Sequence, residues 1–403
     1  MGLSIACFFC QEAKKYGCLE NLTWGFGLCL DKFYFYGDLA LKSNATSGSS
    51  SLSSMPISIA GRPIGQEHPP FVIAEMSGNH NQSLERALEI VEAAAQAGAH
   101  AIKLQTYTAD TMTLDVRGGN FDIKDPNSLW SGKNLHDLYK LAYTPWDWHD
   151  PIMERARELG LICFSSPFDE TAVDFLLGLD VPAFKIASFE NNHLPLIQKA
   201  AATGKPLIIS TGMATLGELD QAVTTAHEAG CDQLILLKCT STYPATPEKT
   251  NISTIPHLKR LFSAEVGLSD HTMGVGVAVA SVALGASVIE KHFTLSRADG
   301  GVDSAFSLEP HELKALVVES ERAWQALGEV TYGPTDAERN SLVFRRSIYV
   351  AEDIAEGESF TSKNLRIVRP GDGAPPALLK DLIGRPARRS FKKGTPLSLD
   401  HLI

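Results

Sequence analysis

Long apolar runs, basic excess and paired metal-binding cysteines are all missing from this chain of 403 residues. No apolar run is long enough for a transmembrane helix. The N-terminal stretch that comes nearest is broken by Lys14, Lys15, Glu20, Asp31 and Lys32, and it lacks the order of basic start, apolar core and small-residue cleavage site of a secretory signal. A formal net charge of -11 argues against broad binding to nucleic acid or anionic membranes, although a few lysines in a pocket can still hold a small anion. No H-E-x-x-H and no four-ligand zinc spacing is present, and Gly274-x-Gly276 lacks the third glycine and acidic partner of a dinucleotide fingerprint. Cysteine is sparse: Cys7, Cys10, Cys18 and Cys29 crowd the N-terminus, and Cys163, Cys231 and Cys239 stand alone in or beside apolar runs, as buried thiols of a reducing compartment do. Cys7-x-x-Cys10 has no second pair or histidine at zinc spacing. The expected location is cytoplasmic, without membrane or nucleic-acid partners.

What is present is 44% hydrophobic and 21% charged, enough for a sizeable soluble core. Residues 1–54 differ from the rest. They are rich in cysteine and aromatics, without a clear period, and end in the serine-rich stretch Ser43–Ser54; they read as a disordered or spurious extension outside the fold. From Phe71 onward eight short apolar runs alternate with helical stretches: Phe71–Ser77, Ala101–Tyr107, Leu161–Ser166, Ala183–Ser188, Leu207–Gly212, Leu234–Thr240, Glu265–His271 and Val288–Thr294. Ser83 reads as the N-cap of the first helix and Gly98 as its C-cap. Near-continuous apolar strands between helices imply a parallel sheet covered on both faces, and eight such units over residues 55–330 predict an α/β fold, a (β/α)8 barrel. Residues 331–342 read as a linker, and 343–403 as a small β-rich domain.

In such a barrel the active site lies at the C-terminal ends of the strands. Those ends deliver Glu75, Lys103, Gln105, Ser166, Lys185, Ser188, Glu190, Ser210, Ser241, Tyr243, Ser269-Asp270-His271 and Glu290-Lys291-His292. A lysine inside a buried strand needs a negative partner. For Lys103 and Lys185 three readings stay open: internal ion pairs with Glu75 or Glu290, an anion site for phosphate and carboxylate, or a Schiff-base lysine. His271 and His292 end adjacent strands and can converge, either as ligands of a divalent metal such as Mn2+ or as ordinary hydrogen-bonding histidines.

Taken in order, the runs IAEMSGNHN (73–81), IKLQTY (102–107), FSSPFD (164–169), KIASFE (185–190), STGMA (210–214), LKCTSTYP (237–244), VGLSDHT (266–272) and IEKHFTL (289–295) resemble the sialic acid synthase family. FRRSIYVAEDIAEGE (344–358) and VRPGDG (368–373) resemble its C-terminal antifreeze-like (SAF) domain. AYTPWDWH (142–149) and GGVDSAFSLEP (300–310) are similar to the pseudaminic acid branch, where the N-acetylneuraminate branch carries Pro-Asp-His in the second run. The resemblance implies a metal-dependent transferase that joins phosphoenolpyruvate to an acetamido sugar and releases phosphate. For the pseudaminic acid branch that sugar is 2,4-diacetamido-2,4,6-trideoxy-altrose; N-acetylneuraminate or legionaminate chemistry on another acetamido sugar is the alternative. It implies His271 and His292 as ligands of Mn2+, with Mg2+ or Co2+ as substitutes. Lys103, Ser166, Lys185, Ser188, Ser210 and Ser269 would hold phosphoenolpyruvate, and Glu75, Gln105, Tyr243 and Asp303 the sugar. Glu190 would be the carboxylate at the reacting centre, with Glu290 second to it. Ser241 replaces the asparagine that contacts phosphate in neuraminate synthases. A domain-swapped homodimer is implied too, with Arg369 reaching the partner's substrate. A different class, a non-catalytic protein binding ice or another partner through its tail, would need a flat uncharged face; the tail instead carries Arg366, Arg369, Arg385, Arg388 and Arg389.

Overall fold

A computed structural model describes residues 57–398. The extension 1–54, with Cys7, Cys10, Cys18 and Cys29, lies outside the described residues. A hairpin of β1 (Ser58–Ile59) and β2 (Arg62–Pro63) leads into eight parallel strands: β3 (Phe71–Glu75), β4 (Ala101–Thr106), β5 (Ile162–Pro167), β6 (Phe184–Ile186), β7 (Leu207–Ser210), β8 (Leu234–Cys239), β9 (Glu265–Asp270) and β10 (Val288–His292). They close in sequence order, β10 pairing with β3, so the expected (β/α)8 barrel is what forms.

Each strand is followed by a helix that covers its outer face, from Leu84–Ala97 after β3 to Pro310–Leu327 after β10. The first shows why these boundaries arise. The Ser83 side chain accepts from the Arg86 amide, and Gly98 ends the helix at φ +84°, a conformation that costs a glycine little. Its buried face, Ala87, Ile90, Val91, Ala94 and Ala97, packs on the outward strand residues Val72, Ala74, Ile102 and Leu104.

Alternation along the strands builds the site. The inward residues start apolar, with Phe71, Ile73, Ala101, Phe164, Ala183, Ile208, Ile235, Leu237 and Val288 forming one cluster that Ile59 and Ile64 of the hairpin region close from below. Two residues further on, the same inward face carries Glu75, Lys103, Lys185, Cys239 and Glu290. Apolar burial at the bottom thus supports a layer of charge at the top.

The small domain holds β11 (Ser347–Val350) antiparallel to β12 (Leu365–Val368) around its own core of Ile348, Val350, Ile354, Phe360, Leu365 and Phe391. The segment expected as a linker is exposed and ends in 3-10 turns over Asp336–Phe344, opened by a Thr335–Glu338 capping box. Among the described residues no helix is long and apolar enough to cross a membrane.

Candidate active site

At the C-terminal mouth of the barrel a cavity of about 370 Å³ gathers side chains from seven of the eight strands or the loops that follow them. Its floor is an ion-pair chain. Glu290 accepts from Lys185 Nζ at 2.8 Å and from Ser269 Oγ at 3.0 Å, while its second oxygen lies 3.8 Å from Lys103 Nζ. Lys103 is paired with Glu75 and donates to Ser166 Oγ at 3.1 Å; Gln105 Nε2 donates to Glu75 at 2.9 Å. Both carboxylates and both lysines are buried. Burial works against the Glu290 charge, but Lys103 and Lys185 overcome it and hold the carboxyl down at about 2. Glu75 has Glu290 as a neighbour, and burial keeps its pKa above the usual range despite Lys103. Lys185 is pushed up, because Glu290 outweighs burial; a Schiff-base lysine needs the opposite shift. The internal ion pairs are therefore present, and they face the cavity. Glu75 Oε2 is the oxygen that meets Lys103, whereas Glu290 Oε2 lacks a hydrogen-bond partner.

The two histidines meet at the wall beside this floor, ring centroids 5.3 Å apart. His271 Nδ1 donates to the Thr240 carbonyl at 2.9 Å, which leaves Nε2 as its free nitrogen. His292 Nδ1 is buried without a hydrogen-bond partner, 3.7 Å from Asp303 Oδ2. Burial, with His271 and Lys103 near, holds His292 well below its ordinary pKa and so neutral. An orphaned neutral imidazole nitrogen, a second imidazole and an adjacent carboxylate fit a divalent first-row ion in kind. Among the described residues no three His, Cys, Asp or Glu side chains converge as a ready ligand set, so water and substrate oxygens would complete the shell of any ion held by the pair.

Asp303 and Glu190 approach from the rim. Ser77 donates to Asp303 from the positive-φ conformation at +48°, a strained backbone position of the kind that clusters at functional sites. Glu190 projects from the turn after β6 and its Oε2 has no hydrogen-bond partner; burial lifts it to about 7 in spite of Lys185.

The cavity brings together Glu75, Lys103, Gln105, Lys185, Ser188, Glu190, Tyr243, Ser269, His271, Glu290, His292 and Asp303. Ser166 lies behind Lys103, and Ser210 Oγ is buried without a partner. Ser241 and Ser188 crowd Gly212: a Cβ there would fall 2.2 Å from Ser241 Oγ and 2.6 Å from Ser188 Oγ, so only glycine lets the two hydroxyls close on that turn. Arg369 sits exposed in the small domain and does not line this chain's own cavity. Within the two triplets, Asp270 and Lys291 point the other way. They pair at 3.0 Å on the outer face, where Lys291 also donates to the carbonyls of Thr272 and Gly274. Of the two triplets only the first and last residues, Ser269, His271, Glu290 and His292, reach the cavity.

Phe306 went unread in the sequence: its ring sets edge-on 4.9 Å from that of His292 and 6.1 Å from that of His271, while the expected Tyr243 lies 4.5 Å from His271. Cys239, buried as expected, faces His271 with Sγ 3.9 Å from Nδ1, and each favours the other's charged form against burial: the thiol falls to about 6 and the imidazole rises.

A family model described as the NeuB family matches residues 90–332, and one described as the SAF domain matches 345–403. The chain belongs to the NeuB family. It is 44% identical over 327 residues, 81% of its length and 95% of the other, to a pseudaminic acid synthase of Campylobacter jejuni. It is 36% identical over 347 residues, 85% and 97% of the two lengths, to an N,N'-diacetyllegionaminic acid synthase of Legionella pneumophila. Among solved structures, a NeuB-like barrel is that of an N-acetylneuraminic acid synthetase from Leptospira borgpetersenii, with TM-score 0.64 and 33% identity over 72% of this chain and 95% of that one.

Proposed function

We propose that this NeuB-family chain is a pseudaminic acid synthase. It condenses phosphoenolpyruvate with 2,4-diacetamido-2,4,6-trideoxy-altrose and releases inorganic phosphate. The observation that carries the reading is the placement of Lys103 and Lys185 on the floor of the same cavity as His271 and His292, in a chain more similar to the Campylobacter pseudaminic acid synthase than to the Legionella legionaminic acid synthase. The two ammonium groups and the hydroxyls of Ser188 and Ser269 suit the phosphate and carboxylate of phosphoenolpyruvate. A ligand anion would compete with the carboxylates of Glu75 and Glu290 that now pair with the lysines at the cavity floor.

In the reaction, carbon three of phosphoenolpyruvate bonds to the aldehyde carbon, whose oxygen takes up a proton. Water adds its hydroxyl at carbon two and loses a proton to Glu190, whose lifted pKa suits that transfer near neutral pH. Collapse of carbon two to the ketone breaks its bond to the phosphate oxygen, and the proton of its hydroxyl leaves with the phosphate. Gln105, Tyr243 and Asp303 would orient the sugar. His271 and His292 would hold a divalent ion, Mn2+ with Mg2+ or Co2+ as substitutes, which supplies Lewis-acid polarisation of an oxygen when bound.

The exposure of Arg369, away from this chain's own cavity, supports a domain-swapped homodimer in which it reaches the partner's sugar. The three buried free thiols among the described residues support a cytoplasmic location. A phosphate-release assay with phosphoenolpyruvate and a panel of acetamido sugars tests the reading: release with the trideoxy diacetamido sugar is the expected result, and release only with N-acetylmannosamine would move the chain to the neuraminate branch.

A further inference from the structure

The cavity has two unlike sides. Opposite the ion-pair floor stands a wall from the long excursion between β4 and the helix His149–Glu158. Its cavity-lining side chains include the apolar Met112, Ile123, Trp130, Leu135 and Leu138, beside the tyrosines Tyr107 and Tyr139. The wall is built, not loose. Ile123 and its neighbours pair through Ile123 N to Lys133 O at 2.9 Å and Gly132 N to Ile123 O at 2.8 Å. Asn134 Nδ2 ties the base to the carbonyls of Val116 at 2.9 Å and Phe121 at 3.2 Å. Trp130 Nε1 donates to the Val302 carbonyl at 2.9 Å, beside Asp303, so the wall is joined to the loop that carries a sugar-facing carboxylate. With that bond made, these five side chains offer no hydrogen-bonding group to a ligand; the hydroxyls of Tyr107 and Tyr139 lie within the influence of the Asp303 and Glu190 carboxyls instead.

We propose that this wall selects the sugar by its deoxygenated end, taking a methyl group where other acetamido sugars carry a hydroxymethyl. The inference rests on the reading that this chain is a pseudaminic acid synthase, and it names what in the structure sets the sugar. The anionic reactant must lie at the lysine floor and the aldehyde beside the histidines, which leaves the far end of the sugar facing the apolar side. A hydroxyl lodged against Ile123 and Leu138 would lose its water without gaining a partner. An apolar pocket rejects an added hydroxyl by about 10²-fold in kcat/KM.

The test uses the full-length chain, phosphoenolpyruvate and two sugars that differ by one oxygen: 2,4-diacetamido-2,4,6-trideoxy-altrose and its 6-hydroxy counterpart. The unaltered protein is expected to favour the trideoxy sugar by about 10²-fold. Ile123→Thr and Met112→Gln, both at half-buried positions, each give the hydroxyl a partner and are expected to cut that ratio to about tenfold or less. Two variants on separate segments guard against a local folding defect, which lowers both sugars together. An unchanged ratio in both variants, or equal use of the two sugars by the unaltered protein, overturns the role of the wall and leaves the synthase reading standing. Phosphate release with neither sugar overturns both.

Discussion

Lys291 donates to Asp270 at 3.0 Å on the outer face of the barrel, while its neighbour Glu290 accepts from Lys185 at 2.8 Å inside it. Adjacent residues on one strand thus serve different ends, and substitutions should separate them. Lys291→Met strands a buried Asp270 carboxylate, and breaking a buried pair from one side costs about 3–5 kcal/mol. Its melting temperature should fall while the folded enzyme retains most of its kcat. Glu290→Gln keeps the shape of the floor but releases both lysines from their shared anion. Phosphate release should drop about 10²-fold, the scale seen when one electrostatic group is lost from a preorganised site. Equal loss of activity in the two variants, measured well below both melting temperatures, would contradict this division.

Glu190 should govern the pH profile. Burial raises its carboxyl to about 7, so the ionised form that accepts a proton grows in only as pH rises through that value. kcat/KM for phosphate release is expected to climb to a plateau above about 7, and Glu190→Gln should lower the plateau and remove the limb. The linkage has the opposite sign for stability. The folded state favours the neutral carboxyl, so this group's stabilisation is present at acid pH and is lost as pH passes the raised pKa. Glu190→Gln should therefore resist urea better than the parent at pH 8 and no better at pH 4. A profile without a limb in the parent enzyme would remove Glu190 from proton transfer.

Acid should weaken the barrel through histidines behind the site. Thr106 Oγ1 donates to His149 Nε2 at 2.7 Å, and His80 Nε2 lies 3.2 Å from Thr144 Oγ1. Burial first, then mutual repulsion for His80, lowers each to about 4. Because the fold favours the neutral ring, their contribution is intact above the unfolded pKa of about 6.5 and declines as pH falls from there towards 4. Each is worth roughly 3 kcal/mol over that window. Urea midpoints should slope downward between those pH values, and His149→Gln, which keeps an acceptor for Thr106 without a titrating ring, should flatten part of the slope. An unchanged slope in that variant would place the acid sensitivity elsewhere.

The barrel was legible because buried parallel strands leave a plain mark: apolar runs of strand length, repeated eight times between helical periods. The polar ends were legible for the same reason, since Lys103 and Lys185 have no business in an apolar strand unless an anion meets them. Period two was also available, and it separates Glu290 and His292 from Lys291 and puts Cys239 on the face of Ile235 and Leu237. What spacing could not resolve was competition within one cavity. Ion pairing and anion binding use the same lysines, and only coordinates show that Glu75 and Glu290 reach them. Phe306 and Trp130 carried no signal, because an aromatic in an irregular segment reads as ordinary core. The apolar wall has no period at all; its position follows from how residues 107–148 fold back over the mouth.

The pair His271 and His292 makes the last prediction. The bond of His271 Nδ1 to the Thr240 carbonyl leaves its Nε2 unpaired, His292 Nδ1 has no hydrogen-bond partner, and no third ligand stands ready among the described residues. A site with two imidazoles binds a hard divalent ion weakly unless substrate oxygens join in. Dialysis against a chelator should therefore abolish phosphate release, and added Mn2+ should restore it. Phosphoenolpyruvate with sugar should tighten the ion measurably in calorimetry or in the electron spin resonance of Mn2+. His292→Ala should lose Mn2+ binding in the same titrations while keeping the far-ultraviolet circular dichroism of the parent, because the ring makes no hydrogen bond that holds the strand. Asp303→Asn, with the carboxylate 3.7 Å from His292 Nδ1 neutralised, should weaken the ion without removing it. Full activity in a metal-free preparation would reduce the two rings to hydrogen-bonding groups and leave polarisation of the aldehyde to the lysines.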